Sequence, residues 1–139
     1  MGRFIKEVES DDPSTLFAVT GDHAERFDFA TDVSLWALSG IPCYFYGDGI
    51  TPDYFTDQTA GSHLQIAPTL AELILPPGSA YESLLPPLTQ SDKAFNYKLY
   101  IEDGQIGEER DLKDVDLKRT IEAARTAAIW RITQGNALP

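Results

Sequence analysis

The sequence predicts a mixed α/β layer fold, with helices flanking a sheet and a C-terminal hairpin followed by a helix. Three observations carry this. Two short runs rich in β-branched and aromatic residues, TLFAVT at 15–20 and IPCYFY at 41–46, are each closed by Gly-Asp. Two later stretches, 66–74 and 116–134, repeat apolar residues at intervals of three and four. Between two strand-like segments stands Asp103-Gly104, a strong signal for a tight hairpin.

Taken in order, Phe4, Ile5 and Val8 lie at helical spacing, and Asp11-Asp12-Pro13-Ser14 stops that helix. The near-continuous apolar run 15–20 reads as a strand buried on both faces of a parallel sheet. Residues 24–40 lack a firm period and read as a loop with one helical turn near 34–38. The run 41–46 is a second buried strand, in which Pro42 must take an early or edge position because it has no N–H. Ile66, Leu70, Leu73 and Ile74 share one helical face, Pro68 suits the first turn, and the helix ends before Pro76-Pro77-Gly78. A proline-rich extended segment follows to Leu88. Residues 95–101 alternate as one strand, and Gln105–Glu108 form its hairpin partner. The last helix, about 116–134, places Leu117, Ile121, Ala124, Ala128 and Ile132 on one stripe, with Asp114 or Asp116 as N-cap.

At 139 residues the chain is one domain's length. Its 42% hydrophobic content suffices for a core, so the net charge of −11 is that of a folded acidic domain rather than a disordered tail. Carboxylates outnumber basic groups 22 to 11, which repels phosphate backbones and anionic headgroups and argues against nucleic-acid binding. The single cysteine excludes an internal disulfide or a multi-cysteine metal site, and Cys43 reads as a buried, inert thiol. No apolar run approaches the roughly 18 residues of a membrane span, so the chain as it stands is expected to be soluble.

The chemistry concentrates at Thr20-Gly21-Asp22-His23. A carboxylate and an imidazole side by side after a strand can both reach one divalent cation, as a charged oxygen ligand and a neutral nitrogen ligand. The alternative is a loop in which Asp22 caps a turn and His23 is solvated. His63, the only other histidine, precedes a helix and is a second candidate ligand or a packed structural residue. Arg26 is a candidate for substrate oxyanions through its planar fork, or a salt-bridge partner for a nearby carboxylate.

As a set, VTGDHAERF, IPCYFYGDGI and SHLQIAPTLAELI resemble the carboxyl-terminal third of the alkaline phosphatase superfamily, in its sulfatase and lipoteichoic acid synthase branch of phosphoglycerol transferases. The family's G-D-H, P-x-x-x-Y-G and S-x-x-D-I-x-P-T-L patterns correspond to 20–23, 42–47 and 62–70, and the likeness spans about 4–88. The tail AIWRITQGN is similar to that of some bacterial members. The resemblance implies part of an alkaline-phosphatase-like layered sheet. It also implies that Asp22 and His23 hold a catalytic divalent metal (manganese, zinc, calcium or magnesium), that His63 serves a second metal, and that the substrate is a phosphate or sulfate ester. Gln65 departs from the family's aspartate at the helix start, which bears on a cap and not on the metal. The family's nucleophile motif is not found among these residues, so the chain is expected to be the later portion of a larger catalytic domain, inactive alone. The parent would be an extracytoplasmic, membrane-anchored enzyme of a bacterial envelope. The reading from another class is a catalytically silent α/β module that associates with itself through an exposed sheet edge. An independent small metallo-hydrolase is a third, and it lacks a nucleophile.

Overall fold

A computed structural model describes residues 2–22, 24, 34–55, 60–91, 93–96 and 98–134. The chain is mixed α/β and divides into two compact units, Met1–Asp57 and Gln58–Pro139.

In the first unit, helix α1 spans Gly2–Asp11, and Arg3 Nε donates to Glu7 Oε1 at 2.9 Å, one turn along its surface. Asp12 ends the helix as the sequence implies: its Oδ1 accepts from the Ser14 N–H at 3.0 Å and from Ser14 Oγ at 2.6 Å, closing an Asx turn around Pro13. Strand β1 (Phe17–Thr20) pairs antiparallel with β2 (Cys43–Tyr46), in the register Phe17↔Tyr46 to Thr20↔Cys43. The parallel, doubly buried strand expected at 15–20 is thereby corrected. Phe17 and Val19 are half-buried while Ala18 and Thr20 are exposed, a one-sided pattern that a short apolar run conceals because every residue in it is apolar or small. Pro42 falls just before β2, where its missing N–H costs nothing. Between the strands, α2 (Leu35–Ser39) begins at Ser34, whose Oγ accepts from the Ala37 N–H at 3.2 Å.

Cross-strand partners share a face, so Phe17, Val19, Tyr44 and Tyr46 lie on one side of this sheet and Ala18, Phe45, Thr20 and Cys43 on the other. Phe45 stacks on Phe55 of the 3-10 turn Pro52–Phe55, with ring centroids 5.0 Å apart. On the opposite face the Tyr46 hydroxyl donates to Glu9 Oε1 of α1 at 2.6 Å. Among the described residues of this unit no side chain is buried, and Tyr44 is 63% exposed. Cys43, expected buried, is exposed.

The second unit holds the core. A 3-10 turn, His63–Gln65, leads into α3 (Ile66–Ile74), with Pro68 in its first turn. Strands β3 (Ala94–Phe95), β4 (Leu99–Glu102) and β5 (Gln105–Glu108) form an antiparallel sheet in that order. The single strand expected at 95–101 is broken: Asn96 Oδ1 accepts from the N–H groups of Lys98 and Leu99 at 2.9 and 2.8 Å, turning the chain between β3 and β4. The hairpin matches the sequence, with Asp103 and Gly104 at φ 50 and 70. Opposite Tyr100 stands Gly107, over which the tyrosine ring lies so closely that a Cβ there would meet its Cε1 at 2.6 Å.

Helix α4 (Val115–Gln134) closes the unit. Leu117, Ile121 and Ala124 bury against Leu85, Phe95 and Leu112, with Tyr100 packed at the side. The expected stripe does not continue inward: Ala128 is exposed and Ile132 is 83% exposed. The connection after β5 is a 3-10 turn, Glu109–Asp111, in which Glu109 takes a bidentate ion pair from Arg125 at 2.7 and 2.5 Å. This guanidinium holds the Glu109 carboxyl below its ordinary range.

Asp114 is the N-cap, accepting on Oδ1 from the N–H groups of Asp116 and Leu117 at 2.8 and 3.0 Å. Its other oxygen pairs with Lys93 Nζ, which also reaches Glu102 Oε1 at 3.1 Å. The Lys93 ammonium, then the helix N–H groups, push the Asp114 carboxyl well below the usual carboxylate range, and the Asp114 and Glu102 carboxylates push Lys93 up. The signs differ. A depressed acid contributes above its unfolded pKa and loses that contribution as pH falls through the folded value; a raised lysine contributes below its unfolded pKa and loses it as pH rises through the folded one. The junction of hairpin and α4 is therefore expected to hold across neutral pH and to weaken in acid below the normal aspartate range. Asp114→Asn should remove that acid step; an unchanged acid limb of the unfolding curve would show that the pair does not contribute.

Candidate functional site

Asp22 lies in a bend two residues beyond the end of β1, and its side chain is exposed. Gly21, half-buried, separates it from Thr20, whose Oγ1 donates to the Gly21 carbonyl at 3.2 Å. Asp22 thus stands at the carboxyl end of β1 in a two-stranded antiparallel sheet, not at the strand-end crevice of a parallel one. The two residues expected beside it, His23 and Arg26, lie outside the described residues. His63 belongs to the second unit, where it opens the 3-10 turn before α3 and is exposed. Among the described residues there is no group of three or more His, Cys, Asp or Glu side chains arranged to hold a metal ion. Nor, among them, is any helix long and apolar enough to cross a membrane.

An Asp-His pair is a mixed oxygen and nitrogen donor set, which suits manganese or zinc and is less typical of calcium, whose ligands are oxygens. Asp22 alone supplies one charged oxygen. A complete site needs four or more donors.

Sequence reasoning placed Gln65 at the helix start but missed the bonds that it, Thr69 and Glu72 make to the proline-rich segment. Gln65 is fully buried and is the third residue of a helix-start capping box. Its Oε1 accepts from the Ser62 N–H at 3.1 Å, completing a capping box, and its Nε2 donates to the Pro86 carbonyl at 3.2 Å. Thr69, also fully buried, donates through Oγ1 to the Gln65 carbonyl at 2.6 Å and accepts from the Leu88 N–H at 3.0 Å. Glu72 accepts from Thr89 Oγ1 and from Gln90 Nε2, the latter at 2.6 Å. Together these bonds fasten the proline-rich segment along α3. The signal was present in the sequence, since Ser62-x-x-Gln65 before an apolar run is a capping-box pattern. The glutamine amide thus both caps the turn and donates to a distant carbonyl, a pairing of acceptor and donor that an ionised carboxylate could not make.

Cys43 carries no nucleophilic signature: although the residue is exposed, partial desolvation of its sulfur pushes the thiol up, only partly offset by the Thr20 hydroxyl. Comparison with models of protein families, with curated proteins and with solved structures gives no match.

Proposed function

We propose that this chain supplies part of a divalent-metal site for phosphoryl or sulfuryl ester transfer of the sulfatase and phosphoglycerol transferase type. Asp22 and His23 are the ligands, and the nucleophile comes from outside these residues. The observation that carries the reading is the placement of Asp22, exposed and two residues past the end of β1, next in sequence to His23. The bound cation would neutralise oxygens of the ester and activate the attacking group. In this reading Asp22 and His23 fix the cation, Arg26 offers a guanidinium to the ester oxyanion, and His63 is a ligand for a second metal. The whole enzyme would be an extracytoplasmic, membrane-anchored protein of a bacterial envelope. The chain by itself would not turn over substrate.

Calorimetric titration of the 139-residue chain with Mn²⁺, Zn²⁺, Ca²⁺ and Mg²⁺ tests this. Two protein ligands predict dissociation constants of micromolar or weaker, weakened at least about tenfold by Asp22→Ala or His23→Ala. Absence of binding, or identical titrations of wild type and both variants, overturns the metal reading and leaves the catalytically silent module.

A further inference from the structure

We propose that Asp103-Gly104, at the tip of the β4–β5 hairpin, is a site of spontaneous succinimide formation and isoaspartyl conversion, selected by the fold over the chain's other Asp-Gly pair, Asp48-Gly49. Both pairs are exposed, and each forms the centre of a turn. The sign of φ separates them. Asp103, at φ 50, is among the described residues the one non-glycine at positive φ; with Gly104 at φ 70 it makes a two-residue type I′ turn, closed by the pairing of Glu102 with Gln105. Asp48 has negative φ and Gly49 stands at φ 82, while the Ile50 N–H donates to the Gly47 carbonyl at 3.2 Å, which defines a type II turn.

Closing the ring requires the glycine nitrogen to reach the aspartate Cγ, so that nitrogen must first come level with Cβ. In an L residue Cβ stands a third of a turn from the residue's own nitrogen, and the following nitrogen eclipses it at ψ of about −120°. That is the ψ of the first central residue in a type II′ turn, the other standard two-residue hairpin turn, which also has positive φ there. Rotating the peptide between Asp103 and Gly104 converts I′ into II′ and leaves the strands in place. Nothing holds that peptide: neither the Gly104 N–H nor the Asp103 carbonyl enters a backbone hydrogen bond of the turn, and a Cβ built on Gly104 would meet no atom within 4 Å. For Asp48 the same rotation converts type II into type I and takes ψ from about +120° to about −30°, neither of which aligns the nitrogen with Cβ.

The Gly104 nitrogen then attacks Asp103 Cγ. An N–C bond forms, a C–O bond of the carboxyl breaks, and the nitrogen's proton leaves with the carboxyl oxygen as water. Water adds back at either carbonyl of the ring. Opening at Cγ restores aspartate; opening at the main-chain carbonyl leaves isoaspartate, with Cβ and Cγ in the main chain and a free α-carboxylate. The product lengthens a turn that has no slack. An extra main-chain atom between Glu102 and Gln105 opposes their pairing, and Glu102 makes the 3.1 Å contact to Lys93 that ties the hairpin to the Asp114 cap of α4.

The test needs no substitution. The full chain is aged in neutral buffer, once folded and once in urea, and isoaspartate at each Asp-Gly pair is read by tandem mass spectrometry. The folded chain is expected to convert Asp103 at least about fivefold faster than Asp48, a barrier difference of about 1 kcal/mol, and urea should bring the two rates within about twofold of each other. Once separated by chromatography, the form carrying isoaspartate at 103 should exchange its amides across β4 and β5 at least about tenfold faster than unaged chain. Equal rates in the folded chain, faster conversion at Asp48, or a ratio that urea leaves unchanged each overturns the proposal. Unaltered exchange in the separated form overturns its consequence for the hairpin.

Discussion

Replacing Gln65 with alanine is expected to destabilise the second unit by about 3 kcal/mol, because both ends of a fully buried amide are in use. Truncation leaves the Ser62 N–H and the Pro86 carbonyl without partners, each costing about 1–3 kcal/mol where water cannot enter, and adds a small cavity. The cost should localise. Hydrogen exchange of the amides in 62–75 and of Leu88, Thr89 and Gln90 should speed up together, since one side chain bonds both segments. Gln65→Glu separates the two roles. A glutamate keeps the acceptor for Ser62 but, when ionised, has no proton for the Pro86 carbonyl and faces it with like partial charge. Burial raises such a carboxyl, so the variant's deficit should be largest at neutral pH and shrink as acid protonates it. A loss under 1 kcal/mol for the alanine variant would show that the polar seam does not hold the proline-rich segment.

Ile121→Ala is expected to cost about 2–5 kcal/mol, the range for emptying a fully enclosed aliphatic site. Ile121 is 1% exposed and belongs to the core cluster with Leu85, Leu112 and Leu117. The same helix supplies its own control. Ile132 lies on the same stripe eleven residues later and is 83% exposed, so Ile132→Ala should change stability by less than about 0.5 kcal/mol. Protection of the amides at 117–125 reads both. Equal effects would mean that the stripe is covered along its whole length, contrary to the burial described above.

Local signals were legible where the residue itself carries the geometry. Asp103-Gly104 specified its hairpin because few other pairs tolerate positive φ at both positions, and Asp114 announced the start of α4 through an oxygen placed to accept helix N–H groups. Asp12, Pro13 and Ser14 likewise ended α1 by an Asx turn. Signals that depend on what faces the chain were not legible. The run 15–20 is equally apolar whether one or both sides are covered, so its antiparallel partner and half-exposed faces could not be read from it. Asn96 interrupted an alternating run through a side-chain bond that periodicity does not register. Leu85 entered the core from a segment whose prolines suggested only an extended connection. Of the candidate site, the strand end and the exposure of Asp22 are present in the structure, whereas His23 and Arg26 fall outside the described residues. The Gln65 seam was written in the sequence as a capping box, yet the reach of its amide to Pro86, 21 positions away, was not.

The 20 residues of α4 are one helix by hydrogen bonding and two by what sustains them. Up to Arg125 the side chains are fixed by the core and by Glu109. Past it, Ala128, Ile129 and Ile132 are exposed, and a helix of that remaining length would not persist in water as an independent peptide. Its order is therefore borrowed: the anchored first half acts as a nucleus that has already met the cost of initiation, and the second half propagates from it. Any change that loosens the Leu117–Ile121–Ala124 contacts consequently reaches the far end of the helix without touching a residue there.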